Sequence, residues 1–378
     1  MHVLQISFFV DDERRSPERL LEDWHSLEDI AVSVASAGER VTVVQASLAP
    51  GALTRRGVDF VFVAPGDSLA ESQVFGALLR HRPADVVHVH GLGFSRDVLA
   101  LREAMPRVPI LLQDHADRLP RLWRRAPWRR AAAVVDGVSF CARAQAEPFA
   151  RAGLLPPHVR VFEIPESTSA FAPGDAAAAR AATGLRGDPA VLTVGHLDHN
   201  KDPLTVLDGV AAAVADLPNL ELWCCFGTAP LLDIVKARLA RDPKLRDRVH
   251  LLGRVPRERV ELLMRAADLF VLGSHREGSS FALLEALATG LTPVVTDIPS
   301  LRALTADGAL GTLWPAGDST ALARALFKAA RALAPSSRAA VQAHFHEQLS
   351  SAALGRKLAA AYRELVTRVA RTAHGDAA

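Results

Sequence analysis

Short apolar runs rich in β-branched residues recur at residues 3–10, 41–45, 60–63, 86–90, 110–113, 134–139 and 161–164. They return at residues 191–194, 220–226, 249–252, 269–272, 292–296 and 312–314. Most are continuous, which is the pattern of strands buried on both faces of a parallel sheet. Amphipathic stretches separate several of them, such as residues 26–37, which Gly38 ends. Strand, helix, strand at this spacing predicts α/β architecture with helices on both faces of parallel sheets. Both halves show the pattern, so two doubly wound, Rossmann-like domains facing a central cleft are expected. Ser, Thr, Pro, Gly and Ala crowd residues 165–189 without a strand pattern, and this stretch is the expected seam. The reading sets an N-terminal domain at 1–165, a C-terminal domain at 166–350 and a helical tail segment at 351–378.

The length of 378 residues agrees with at least two domains at ~150 residues each. With 49% hydrophobic and 23% charged residues the chain is neither collagenous, disulfide-stapled nor disordered throughout. Forty-four basic against 42 acidic residues give +2, so no global field recruits nucleic acid, and no nucleic-acid partner is expected. Only five residues are lysine, and none precedes Lys201. Cys141, Cys224 and Cys225 have no CxxC spacing and read as buried small hydrophobes in a reducing compartment. The first apolar run lacks a positive leader and enters Asp11-Asp12-Glu13, so it reads as a strand, not a signal peptide. No apolar run approaches the ~20 residues of a membrane span. The expected location is cytoplasmic, with at most peripheral contact at the membrane inner face. One segment, residues 118–130, concentrates arginine around Trp123 and Trp128. It fits an anionic lipid surface, an anionic acceptor or simply a solvated arginine face.

The densest chemistry lies in residues 277–290. A strand ends at Leu272, a polar loop follows, and Ser279 or Ser280 is placed to cap a helix that Gly290 terminates. Ligands of open α/β sheets bind beyond strand C-termini, where helix N-termini point free N–H groups. Gly278, Ser279, Ser280 and the first helical residue, Phe281, are therefore candidate phosphate-binding positions. Glu285 is the only ionisable residue between Glu277 and Asp297, on an otherwise apolar helix. Such a carboxylate needs donors. Alone it reads as half of a salt bridge; with Glu277 it makes a pair able to border one ligand.

This pair resembles the Glu-x7-Glu motif of retaining glycosyltransferases of family 4, which have the GT-B fold. The surrounding segments are similar in order: Gly195-His196-Leu197 through Lys201, Gly227-Thr228, Gly253-Arg254-Val255, and Gly290 through Val295. The resemblance implies that Glu285 binds the nucleotide ribose and Glu277 the donor-sugar hydroxyls. It implies that His196 and Lys201 hold the diphosphate, with Gly195 and Gly227 as glycine turns and Arg254 and Val255 beside the base. It implies that His115 reaches the donor sugar from the N-terminal domain, and that the tail helix returns to that domain. Glu277, His115 and Lys201 are the candidate catalytic residues. A diphosphate beside position 196 would favour the imidazolium there.

The implied substrate is a nucleoside-diphosphate sugar, a UDP-sugar first, with GDP- and ADP-sugars as alternatives. The acceptor is a glycan, a lipid or a small molecule, and no separate cofactor is expected. No Asp-x-Asp pair occurs, so metal-independent transfer is expected. His88 and His90 share a strand face, but a third ligand at recognisable spacing is missing. The chain departs from the family in three places. The segment after the first strand, residues 10–17, is charged and free of glycine; position 196 is histidine where the family has arginine; and Pro165-Glu166-Ser167 stands where Pro-Asn-Gly is usual. Two other readings stay open: a noncatalytic glycosyltransferase-like binding protein, and a sugar-nucleotide epimerase of the same fold.

Overall fold

The structure, a computed structural model, describes residues 1–64, 76, 82–116 and 118–375. The chain divides into two units, one formed by Met1–Thr168 with Ser351–Ala378 and the other by Ser169–Ser350.

Among its described residues the first unit carries β1 (His2–Ser7), β2 (Arg40–Ala46), β3 (Gly51–Arg55), β4 (Val58–Val63), β5 (Val86–His90), β6 (Ile110–Gln113), β7 (Gly137–Phe140) and β8 (Arg160–Glu163). They form one sheet in the order β3-β4-β2-β1-β5-β6-β7-β8. Its neighbours pair parallel except β3, which is antiparallel to β4 at the edge. Alternate residues enter opposite layers: Leu4, Ile6, Val87 and Val89 one, Val3, Val41, Val43 and Val86 the other. Helix His25–Ser36 covers the second layer through Ile30 and Val34, and Gly38 follows it at φ +91°. Leu358, Tyr362 and Leu365 of the last helix, Ser351–Gly375, are buried in that same layer. An apolar stripe, not sequence proximity, thus assigns the tail helix to the first unit.

The second unit carries β9 (Ala190–Gly195), β10 (Glu221–Phe226), β11 (Val249–Gly253), β12 (Leu269–Leu272), β13 (Thr292–Thr296) and β14 (Thr312–Trp314). Their order is β11-β10-β9-β12-β13-β14, parallel throughout. The expected seam, read without a strand pattern, contains a helix, Ala176–Thr183, which belongs to this unit. Asp175 caps it by accepting the Ala178 N–H at 2.8 Å, and Gly184 ends it in the left-handed region. None of the three cysteines forms a disulfide, and all are buried. Among the described residues no helix is long and apolar enough to cross a membrane.

In each sheet the chain order reverses beside one strand: β1 sits between β2 and β5, and β9 between β10 and β12. Splayed loops at such switch points form the crevices where α/β sheets bind ligands.

Candidate functional site

Most candidate residues of the second unit lie in the loops at the β9/β12 switch point, while Gly227 follows β10 and Arg254 and Val255 follow β11. Gly195 ends β9 and the loop after it carries His196 and Lys201; the loop after β12 carries Glu277, Gly278, Ser279 and Ser280. These loops are laced together. The His275 N–H donates to the Asn200 carbonyl at 2.8 Å, and Asn200 Nδ2 donates to the Arg276 carbonyl at 2.9 Å. His275 Nε2 lies 3.0 Å from Asp202 Oδ2, while Asp202 Oδ1 accepts the Thr205 N–H at 3.2 Å. The Ser300 hydroxyl donates to the Glu277 carbonyl at 3.0 Å. Gly273 permits the close approach, since a Cβ there would stand 2.9 Å from the Lys201 carbonyl oxygen.

This lacing brings together two groups 76 positions apart: Lys201 Nζ donates to Glu277 Oε1, and both side chains are largely buried. Beyond them, helix Phe281–Ala288 starts from Ser280, whose φ is +43°. Of the two expected capping serines, Ser280 occupies the N-cap position, but its hydroxyl makes no capping bond. That hydroxyl is buried without a hydrogen-bond partner. Buried polar atoms are nearly always satisfied, so a hydroxyl left open at a helix start is suited to an incoming acceptor group. Ser279 is fully buried, and Phe281 is more than a third exposed at the helix start.

His196 rests against Gly227, and its Nδ1 accepts the Thr228 N–H at 3.2 Å. In this arrangement Nδ1 is the acceptor. An imidazolium has no acceptor nitrogen, so the bonded form is neutral with its proton on Nε2. Gly253 ends β11 at φ +69°, followed by exposed Arg254 and half-buried Val255.

Glu285 finds the partner that its apolar helix demanded. Arg257 Nη1 lies 3.0 Å from Glu285 Oε1, and its guanidinium covers the Phe171 ring at 4.8 Å. Arg257 was not among the sequence candidates. Its signal was indirect: a lone carboxylate on an apolar helix, and an arginine two residues past Val255.

In the first unit, His115 follows β6 and, half-buried, joins the buried His88 and His90. His90 Nδ1 and His115 Nε2 lie 3.2 Å apart, and His88 Nδ1 shares a 2.7 Å hydrogen bond with the Tyr362 hydroxyl of the last helix. Glu166 Oε1 stands 4.0 Å from His115 Nδ1. Glu166, noted in sequence only as a departure, is therefore a neighbour of His115. Burial pushes His115 down to about 4. Burial, then the charge of His115, holds His88 at about 3. His90 lies well below the usual imidazole range, first through burial and then through the charges of His88 and His115. All three are neutral at pH 7, so they serve as hydrogen-bonding groups there. Among the described residues no cluster of three or more His, Cys, Asp or Glu side chains is arranged to hold a metal.

At the β1 switch point the glycine-free loop closes on itself. Buried Asp11 accepts the Arg15 N–H at 2.8 Å and the Glu13 N–H at 3.2 Å, and pairs with the Arg15 guanidinium at 3.0 Å.

Residues 188–331 match the family model described as glycosyl transferases group 1. The chain is 27% identical over 248 residues to the GDP-mannose:cellobiosyl-diphosphopolyprenol alpha-mannosyltransferase of Xanthomonas campestris, covering 64% of this chain and 62% of that protein. It is 36% identical over 149 residues to the D-inositol 3-phosphate glycosyltransferase of Mycobacteroides abscessus, 38% of this chain and 33% of that one. These matches thus span less than two thirds of either relative. In structure it resembles sucrose-phosphate synthase from Thermosynechococcus elongatus, with TM-score 0.70 at 18% identity over 97% of this chain and all of the other. The chain has the GT-B fold, and the match to the glycosyl transferases group 1 model falls within its second unit.

Proposed function

We propose that the protein is a retaining, metal-independent glycosyltransferase that moves a hexosyl group from a nucleoside-diphosphate sugar to a hydroxyl acceptor. The observation carrying this reading is the paired loops at the β9/β12 switch point, with Lys201 on Glu277 beside the unpartnered Ser280 hydroxyl. When the glycosidic bond breaks, negative charge grows on the departing diphosphate. A fixed ammonium, the Nε2–H of His196 and the helix-start N–H groups stabilise that charge as it develops. Glu277 orients the Lys201 ammonium and offers its carboxylate to sugar hydroxyls. Glu285 is assigned to the ribose and Arg254 and Val255 to the base side, with Gly195 and Gly227 keeping the turns low. In the first unit, His115 is assigned to the reacting sugar as a neutral hydrogen-bonding group.

The polyprenol-linked acceptor in the Xanthomonas relative's name supports a lipid-linked acceptor, and the GDP-mannose there puts GDP-sugars beside UDP- and ADP-sugars as donors to test. Sugar release from each donor, with and without a polyprenyl-diphosphate glycan, tests the reading. Donor-dependent transfer that persists with a chelator is expected and falls at least tenfold in Lys201→Ala. Loss of transfer with the chelator, restored by magnesium, would refute the metal-independent step.

One observation favours a second reading, a noncatalytic nucleotide-sugar binder: the self-closed Asp11–Arg15 loop where the family carries a glycine turn. Tight donor binding with neither hydrolysis nor transfer would establish it.

A further inference from the structure

The segment from Arg118 to Arg130 contains six arginines and no acidic residue. Its two tryptophans have opposite fates. Trp128, on helix Arg125–Ala132, stacks on Phe149 at 6.0 Å and belongs to the core of the first unit. Trp123 and Leu122, in the single 3-10 turn Leu122–Arg124, are 72% and 73% exposed, well above every other large hydrophobic side chain described. The turn is held in shape: the Arg124 N–H donates to the Arg121 carbonyl at 2.8 Å, and Arg125 Nε donates to the Pro120 carbonyl at 3.3 Å. The Arg121 guanidinium lies over the Trp123 ring at 5.4 Å. Arg118, Arg121, Arg124, Arg129 and Arg130 are exposed, and among the described residues none of the six makes an ion pair with a carboxylate.

We propose that this turn is a membrane-docking surface that inserts Leu122 and Trp123 into the headgroup region of an anionic bilayer while the surrounding arginines contact lipid phosphates. An occupant must take up an aliphatic side chain, an indole and several positive charges in one small patch. A bilayer interface does so, because indole favours the headgroup level and basic residues are drawn to the negative surface. A nucleic acid would stack on Trp123 but has no use for Leu122 beside it. The proposal gives a lipid-linked acceptor a surface to be met on, and in that respect rests on the transferase reading. Its test uses neither donor nor acceptor, so the two can fail separately.

The whole chain is mixed with vesicles of phosphatidylglycerol and phosphatidylcholine, or of phosphatidylcholine alone, and sedimented. Binding to the anionic vesicles alone is expected, about tenfold weaker in the double variant Leu122→Ser, Trp123→Ser and lost in raised salt. Both side chains are solvent-facing, so the variant should keep the wild-type melting temperature. As a second measurement, brominated phosphatidylglycerol should quench tryptophan fluorescence in wild type and much less in Trp123→Phe, which preserves the apolar turn. Equal binding to both vesicle types, equal binding by wild type and the double variant, or equal quenching would overturn the proposal. So would a self-associated wild type that the double variant converts to monomer, since the occupant would then be a second copy of the chain.

Discussion

Lys201–Glu277 and Arg257–Glu285 place two carboxylates and two cations on adjacent elements, and each pair makes a different prediction. Glu277→Ala should leave binding of the free nucleoside diphosphate within about threefold of wild type and weaken the intact sugar nucleotide about tenfold or more. Glu285→Ala should weaken both alike; calorimetry with the two ligands decides it, and matching losses in both variants would refute the assignment. Arg257→Ala strands a buried carboxylate, but its own side chain is 36% exposed. The expected loss on urea unfolding is therefore ~1–2 kcal/mol, below the figure for a fully buried pair. His196 also acquires a definite expectation. Its Nδ1 already accepts the Thr228 N–H, so Nε2 can donate to a phosphate without taking up a proton. His196→Ala should therefore weaken donor binding about threefold or more, measured by calorimetry. Unchanged donor affinity in that variant would remove the ring from the phosphate site.

At the scale of elements, strands buried on both faces were readable, since continuous β-branched runs have few alternatives. Runs such as 86–90, 110–113, 269–272 and 292–296 coincide with the strands formed. Strand β3 escaped because it pairs on one side only, is largely exposed and carries no apolar run. Helix Ala176–Thr183 was hidden by its own alanines, although Asp175 and Gly184 were punctuating it. The candidate residues 277 and 285 could be named from local grammar, and 196 and 201 from the family resemblance. Arg257 and Glu166 could not, because their partners come from other elements and only packing brings them near. The lacing of the two loops gives a test at this scale. In Gly273→Ala the new methyl meets the Lys201 carbonyl and the Val206 side chain at 2.9 Å, so the loops must part. The variant should lose ~1–3 kcal/mol of stability and more than about tenfold in donor affinity. The buried histidines predict how acid acts. Folded, His115 stays neutral down to about pH 4 and His88 to about pH 3, whereas the unfolded chain protonates them near 6.5. The unfolded state therefore binds more protons in this window, and their contribution is complete above ~pH 7.5 and declines as pH falls. For His115 the decline is ~2 kcal/mol at pH 5. Melting temperature should thus drop from pH 7.5 to 5, less steeply in His115→Gln; parallel curves would remove the histidine from the explanation.

For the whole molecule, every residue assigned to the nucleotide lies in the continuous stretch 169–350, while the first unit is assembled from two separated stretches. Residues 169–350 expressed alone should fold and bind nucleoside diphosphate within about tenfold of the full chain, measured by calorimetry. Residues 1–168 alone should expose the face of helix His25–Ser36 that Leu358, Tyr362 and Leu365 cover, and should aggregate unless residues 351–375 are added. The returning helix also sets a timetable. A ribosome adding ~5–20 residues per second needs roughly ten to forty seconds to pass from the first stretch of this unit to its last. Throughout that interval the N-terminal sheet waits with one layer open, while the second unit is completed. The half of the protein translated first is therefore the half that finishes folding last.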